Sequence, residues 1–187
     1  MNAYIYDAIR TPRGKGKKDG SLHEVRPVNL LAGLLREIPQ RTGISPDFVE
    51  DVIMGCVTQV RDQSGDIAMA AVMAAGYPDS GSAVTLNRFC GSGLEAVNQA
   101  AALANSGQAQ FVIAGGVESM SRNALGSDGA FTLIDPQMIT GHKVIPQGVS
   151  ADLIASKYGY SRHALDSFAA ESHRRAAQAW AENRFAK

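Results

Sequence analysis

With 187 residues, 45 % of them hydrophobic and 19 % charged, the chain is long enough to form one domain with a buried core. Its 18 basic and 18 acidic residues give a formal net charge of zero, which excludes a broad basic surface that would attract nucleic acid or an anionic membrane. No apolar run approaches the roughly 18 residues of a membrane-spanning helix, and residues 1–10 lack the apolar stretch of a signal peptide.

In the N-terminal part of the chain, continuous apolar runs alternate with segments whose apolar residues recur at helical spacing. Short runs rich in Ile, Val, Tyr and Met are typical of buried strands, whereas leucines or alanines at helical spacing are typical of helices packed on a sheet. Pro27 can open the first helix, Pro39 closes its pattern, and Gly76 can end the second. The predicted elements are mostly buried strands at residues 2–9 and 51–57 and helices at residues 27–38 and 65–75.

The next strand–helix unit is the most informative. A short strand at Val84–Asn87 leads into a tight turn with Cys90, Gly91 and Gly93, and an Ala-rich helix is predicted over residues 94–105. This helix has no basic or aromatic side chain, so it is expected to be buried between two layers. The alternation of strands and helices predicts an α/β fold, with a parallel or mixed sheet flanked by helices.

The C-terminal part of the chain is less regular. After the strand FVIAGG, residues 121–147 lose all periodicity, and a stretch this long is usually functional or faces a partner. Residues 150–158 are predicted to form a short helix that Gly159 ends, and Ser161 can cap a long last helix. The expected buried stripe of that last helix is Leu165, Phe168, Ala169, Ser172, Ala176 and Trp180.

Cys90 is the candidate nucleophile. Between a strand and a helix, unpaired backbone N–H groups and the helix dipole favour negative charge on a cysteine sulfur. Gly91 and Gly93 leave room for a ligand carbonyl to reach backbone N–H donors, as an oxyanion hole requires. Judged by spacing alone, the alternative stays open that Cys90 is a small buried residue in a glycine-rich turn.

The other candidate residues fit structural roles. Cys56 lies within an apolar strand, where a packing role is expected, and the two cysteines lack both the CxxC spacing of a metal site and the density of a disulfide scaffold. Both are therefore expected to be reduced thiols in the cytoplasm, with no metal bound. None of the histidines has surroundings that would fix or tune a catalytic imidazole. They are His23, His142, His163 and His173.

Four strings of the sequence together resemble one family. NRFCGSGLEAV around Cys90 is followed by VIAGGVESMS, while YDAIRTPRGK stands near the start and QGVSADLIASKYGYSRHALDSFAAESHRRA near the end. In this order and spacing they resemble the thiolases, the acetyl-CoA and 3-ketoacyl-CoA acyltransferases. The resemblance covers the whole chain and implies the N-terminal half of a thiolase-like layered fold, a mixed sheet with helices on both faces.

The resemblance also implies a mechanism. The matching cysteine attacks the keto carbon of a 3-ketoacyl-CoA, releases acetyl-CoA and passes the acyl group to a second CoA, so Cys90 would form an acyl-enzyme. Its backbone N–H would contribute to the oxyanion hole. Met120 would lie near the acyl chain, with structural packing as the open alternative. Coenzyme A would be a co-substrate, with no tightly bound cofactor.

Part of the family's machinery is not found in this sequence. Thiolases are about twice as long, and their second half carries the activating histidine and a second cysteine, so this chain would need that half in cis or in trans and be nearly inactive alone. The implied organisation is a core half at residues 1–120, the start of an irregular loop region at 121–148, and a helical segment at 149–187 leading toward the second half. A non-catalytic thiolase-like binding or assembly module is the alternative.

A finer assignment concerns subgroup and partners. Many biosynthetic thiolases place His-Met where this chain has Pro146-Gln147, which is more similar to degradative thiolases of fatty-acid β-oxidation. The implied partners are acyl-CoA, CoA, a fatty-oxidation α-subunit and further copies of the chain in a homo-oligomer. A half on its own would expose the apolar helix after Cys90 and should self-associate. The cations of residues 10–18 would either attract CoA phosphates or be a solvated loop.

Overall fold

The computed structural model describes residues 2–186, apart from the side chain at position 133. The chain forms two compact units, Met1–Gly129 and Ala130–Lys187. The elements of the first unit are α1 (Pro27–Thr42), β1 (Asp51–Gly55), α2 (Ile67–Ala75), β2 (Ser82–Leu86), α3 (Ser92–Ser106) and β3 (Val112–Gly116), with short 3₁₀ turns at Pro46–Phe48 and Arg61–Gln63.

The three strands form a parallel sheet in the order β2-β1-β3. Successive residues of the central strand β1 face opposite sides, as the two-residue period of a strand requires. Val52 and Met54 pack with α1 and α2 in the main hydrophobic core, whereas Ile53 and Gly55 face α3. The predicted α/β fold with helices on both faces of the sheet is therefore confirmed.

Two predictions for the N-terminal region are wrong. Residues 2–9 form no strand, and Tyr4 and Ile5 are 76 % and 82 % exposed, because no strand in the described part of the chain pairs with this segment. Helix α1 does not end at Pro39 but continues to Thr42. Proline has no N–H to donate to the carbonyl of Leu35, and the hydroxyl of Tyr77 donates to that carbonyl instead, at 2.7 Å. The buried Tyr77 thus compensates for the missing helical hydrogen bond.

The helix after Cys90 forms as predicted but is not covered on both sides. Helix α3 packs on β1 and β3 with one face, where Ser92 and Ala96 are buried. On its other side Leu94 and Val97 are 68 % and 39 % exposed. Burial between two layers is therefore not seen in this structure, because no layer of the first unit covers that side, and this exposure is what was expected of a half on its own.

The second unit is helical. Its helices are α4 (Phe131–Ile134), α5 (Pro136–Gly141), α6 (Gln147–Tyr158) and α7 (Arg162–Ala181). The predicted ends are confirmed, because Gly159 adopts the left-handed conformation after α6 and the Ser161 hydroxyl accepts a hydrogen bond from Ala164 N–H at the start of α7. Residues 121–147 are less irregular than predicted, since they contain α4 and α5.

The predicted buried stripe of α7 is wrong. Leu165, Phe168 and Trp180 are 44 %, 81 % and 70 % exposed, since the second unit has no element that covers this face. Among the residues that the structure describes, none of the helices has both the length and the apolar character needed to cross a membrane.

Candidate active site

Cys90 lies in the turn between β2 and α3, directly before Gly91, the residue that precedes the first turn of α3. Its side chain is exposed, in contrast to that of Cys56. The alternative that Cys90 is a small buried residue is therefore wrong. An exposed thiol at a strand–turn–helix junction can reach a substrate.

The backbone of this turn has an unusual conformation. Phe89, directly before Cys90, has a positive φ of 46°, which a non-glycine residue rarely adopts and which costs on the order of 1 kcal/mol. Its N–H donates to Asn87 Oδ1 at 2.8 Å, and its carbonyl accepts from the Ser92 hydroxyl at 2.6 Å. The same hydroxyl accepts from Arg88 N–H at 2.8 Å. These side chains hold the turn on both sides of the cysteine.

Backbone N–H groups at the start of α3, close to Cys90 in the sequence, have no hydrogen-bond acceptor among the described residues. Gly91 offers no side chain to cap α3, and among the hydrogen bonds of residues 2–186 none involves the N–H groups of Cys90, Gly93 or Leu94. N–H groups at a helix start can bind a negatively charged oxygen. The turn therefore places a thiol beside the kind of donors that an oxyanion hole uses.

Helix α3 begins close to the backbone of the central strand β1. A Cβ atom at Gly55 would lie 2.5 Å from the Ser92 carbonyl carbon, and one at Gly116 would lie 2.7 Å from the Gly55 oxygen. Gly55 is thus required for the approach of α3 to β1, whereas Gly116 is required for the close contact between the strands β3 and β1. Gly55 is a positioning residue that the sequence analysis missed, although an isolated glycine within an apolar strand is a signal of close backbone approach.

Met120 lies just beyond β3, whose last residue Gly116 pairs with Gly55 at the edge of the sheet where α3 begins. Met120 is 46 % exposed. A Cβ atom added at Gly16 would lie 3.1 Å from the Cβ of Met120, so Met120 packs beside the basic loop of residues 10–18. One cation of that loop, Lys15, pairs with Asp19 at 2.8 Å. Contact of Met120 with an acyl chain stays a prediction.

Cys56 differs from Cys90 in its surroundings. It is 1 % exposed, and burial together with the nearby charge of Glu118 raises the pKa of its thiol to about 12. The neutral thiol is therefore its stable form, which agrees with the packing role expected from its apolar strand.

A base and a metal are two further components that a site of this kind can use. Within the described residues, the structure shows no hydrogen bond between a histidine and Cys90, and no group of three or more metal-binding side chains. His142 follows α5, and His163 and His173 lie on α7, all in the second unit. Among the described residues, the candidate site thus consists of an exposed thiol and backbone N–H groups at the start of α3.

The fold and site define an α/β domain with an exposed cysteine at a strained strand–turn–helix junction. Comparison with known proteins then gives the family: residues 3–187 match the family model described as thiolase, N-terminal domain. The chain therefore belongs to the thiolase family, as its sequence strings predict.

Individual relatives agree with this family. The chain is 39 % identical over 193 residues to a 3-ketoacyl-CoA thiolase of Shewanella baltica, covering 99 % of this chain and 48 % of that protein. It is 38 % identical over 178 residues to the same enzyme of Colwellia psychrerythraea, covering 94 % and 45 %. The crystal structure of the Bacillus anthracis acetyl-CoA acetyltransferase matches with a TM-score of 0.72 at 31 % identity, covering 87 % of this chain and 44 % of that chain. The chain spans about half the length of the curated relatives it matches.

Proposed function

We propose that this chain is the nucleophile-bearing part of an acyltransferase that cleaves 3-ketoacyl-CoA with coenzyme A, or runs the reverse condensation. The observation that supports it most is the exposed Cys90 thiol beside free backbone N–H groups, in a turn held by Asn87 and Ser92. The names of the relatives, 3-ketoacyl-CoA thiolase and acetyl-CoA acetyltransferase, agree with this reaction.

The proposed first half-reaction forms a thioester. The thiolate of Cys90 attacks the keto carbon of the substrate, and the oxygen of that carbonyl becomes negatively charged. The N–H groups of Cys90, Gly93 and Leu94 are the donors available to stabilise it. The bond then breaks between the keto carbon and the α-carbon next to the CoA thioester. Acetyl-CoA leaves as an enolate that takes up a proton.

The second half-reaction releases the product. The thiolate of a second CoA attacks the acyl-Cys90 carbonyl, and the sulfur of Cys90 leaves as the shortened acyl-CoA is formed. The proton acceptor and donor for these steps would be a histidine and a cysteine of a second half, supplied in cis or in trans. Until they are present, acyl transfer by this chain should be very slow.

The finer assignments are part of the proposal. Coenzyme A is a co-substrate, no cofactor is tightly bound, and Met120 lies along the acyl chain. Residues 1–120 are the core half that carries the nucleophile. The enzyme acts in cytoplasmic fatty-acid β-oxidation as a homo-oligomer, with the α-subunit of an oxidation complex as a partner.

Steady-state thiolysis tests this proposal. The protein, with its second half in cis or in trans, is assayed for loss of a 3-ketoacyl-CoA while both substrates are varied. We expect the parallel lines of a ping-pong mechanism, a loss of kcat/KM of at least about a thousandfold in Cys90→Ala, and little change in Cys56→Ala. Comparable activity in Cys90→Ala and the parent would contradict the proposal.

A non-catalytic binding or assembly module is the second candidate. The observation in its favour is the uncovered side of α3, where Leu94 is 68 % exposed, since exposed apolar patches are typical of interaction surfaces. Full folding and CoA binding without any turnover, in the presence of the second half, would support this module and rule out the acyltransferase.

A further inference from the structure

We propose that Glu118 is a positioning residue for Cys90, acting through the peptide group between Val57 and Thr58 and through Asn87. The inference rests on the proposed function for the role of Cys90, but its hydrogen bonds are independent of that role. Glu118 follows β3, and Asn87 follows β2, so the link crosses the carboxyl edge of the sheet.

The carboxylate of Glu118 is fixed at both oxygens. Oε2 accepts from Val57 N–H at 2.9 Å and from Thr58 N–H at 3.3 Å, while Oε1 accepts from Gln63 Nε2 at 2.8 Å. Gln63 is fully buried and is itself held, because its Nε2 also donates to the Thr58 carbonyl at 2.8 Å and its Oε1 accepts from Ser119 N–H at 2.7 Å. The carboxylate therefore has one defined orientation.

One peptide group carries the link onward. The Thr58 N–H and the Val57 carbonyl belong to the same planar peptide group. Glu118 binds its N–H end, and the side-chain amide of Asn87 donates to its carbonyl end at 3.2 Å. Hydrogen bonds in such a chain polarise one another, so loss of the carboxylate weakens the bond to Asn87 as well as its own.

Asn87 completes the connection to the nucleophile. Its Oδ1 accepts from the N–H of Phe89 at 2.8 Å, and Phe89 has the strained positive φ directly before Cys90. With both ends of the amide engaged, Asn87 joins the Val57 carbonyl to the turn. A strained turn keeps its conformation only while neighbouring contacts hold it. Glu118 is therefore expected to influence the position of the Cys90 sulfur and N–H without touching substrate.

The test is a double-mutant cycle on Cys90 reactivity. Glu118→Gln keeps the shape of the side chain but places an amide nitrogen where an acceptor is needed, and Asn87→Asp keeps the acceptor for Phe89 N–H but removes the donor to Val57. The readouts are the rate of Cys90 alkylation by iodoacetamide, resolved by peptide mass spectrometry over a range of pH, and the rate of acylation by a 3-ketoacyl-CoA. Glu24→Gln, at an exposed site, is the control.

We expect each single variant to slow acylation about tenfold and to change the pH profile of Cys90 alkylation, with the double variant only slightly slower than either one. If acylation of the double variant were slower by about a hundredfold, the product of the two single effects, the link would be overturned. A pH profile of Cys90 alkylation that is unchanged in both single variants would also overturn it. Asn87 is exposed, so Asn87→Asp keeps the test decisive if Glu118→Gln does not fold. If the parent forms no acyl-Cys90 but the alkylation effects are coupled, the proposed function fails while the positioning role holds.

Discussion

Substitution of Gly55 by alanine should destabilise the protein, because the added Cβ overlaps the start of α3. The added Cβ would lie 2.5 Å from the Ser92 carbonyl carbon and 2.6 Å from Gly93 N, against 3.4 Å for the start of ordinary contact. These neighbours are backbone atoms, which cannot turn away like a flexible side chain, so the start of α3 must move by about 0.9 Å, the difference between 3.4 and 2.5 Å. Overpacking of this kind costs about 1–3 kcal/mol.

The same shift moves the start of α3, which directly follows Cys90 and Gly91, and should therefore disturb the geometry of the candidate site. A misplacement of about 1 Å at a reacting centre can lower the rate up to about 100-fold. Urea unfolding and single-turnover acylation of Gly55→Ala measure the two effects. The matched control is Gly33→Ala in α1, where nothing lies within 4 Å and the helix should gain about 0.5–1 kcal/mol. Wild-type stability and acylation in Gly55→Ala would refute the reasoning.

Three further predictions address the turn, the core and acid stability. Ser92→Ala removes both hydroxyl hydrogen bonds of the turn, so urea unfolding should show a loss of about 1–2 kcal/mol and acylation should slow; unchanged acylation would mean that the turn does not need them. Tyr77→Phe leaves the Leu35 carbonyl without its donor and should cost about 1–3 kcal/mol, with acylation by the folded protein unchanged as the check that the effect is confined to the core. Burial opposes ionisation of Asp62, but hydrogen bonds from an amide and a guanidinium outweigh it and lower the pKa of its carboxyl. The stability from this ionised group is therefore present above the unfolded pKa and lost as pH falls through the lower folded pKa. The difference in unfolding free energy between wild type and Asp62→Asn, compared from pH 7 to pH 3, should stay constant near neutral pH and narrow at the acid end; a difference that stays constant throughout would contradict this assignment.

Elements defined by local signals were predictable from the sequence. The ends of α2 and α6 follow from Gly76 and Gly159, whose left-handed conformation closes each helix, and the start of α7 follows from the Ser161 cap. The strands β1 and β3 follow from short, continuous apolar runs, which are typical of strands in an α/β sheet. In each case the residues that decide the structure lie within the element or next to it.

Features that depend on distant residues were not predictable. The continuation of α1 past Pro39 depends on Tyr77, which is far along the chain and satisfies the freed Leu35 carbonyl. Residues 2–9 have the composition of a strand, but a strand also needs a neighbour with free hydrogen-bonding groups. Apolar stripes on α3 and α7 indicate a surface that is suited to burial, and they do not say which element covers it.

The candidate site divides in the same way. Cys90 was predicted because its turn, glycines and following helix are contiguous in the sequence. Gly55 and Glu118 were missed because they are distant from Cys90 in the sequence, and Asn87 was missed because one of its two hydrogen-bond partners, the Val57 carbonyl, belongs to another loop. A glycine at the end of an apolar strand was the available signal for Gly55. For Glu118 the sequence offered only its place in VIAGGVESMS, with no indication of the peptide group that it holds.

Peptide-level mass spectrometry tests most directly whether Cys90 carries the acyl group. The protein, with its second half in cis or in trans, is mixed with a 3-ketoacyl-CoA in the absence of free CoA, quenched in acid and digested. We predict an acyl thioester on the peptide containing Cys90, lost on addition of CoA and absent from Cys90→Ala, with the Cys56 peptide unmodified. An acyl group on another residue, or turnover in the complete enzyme without any acyl-Cys90, would contradict the role assigned to this cysteine.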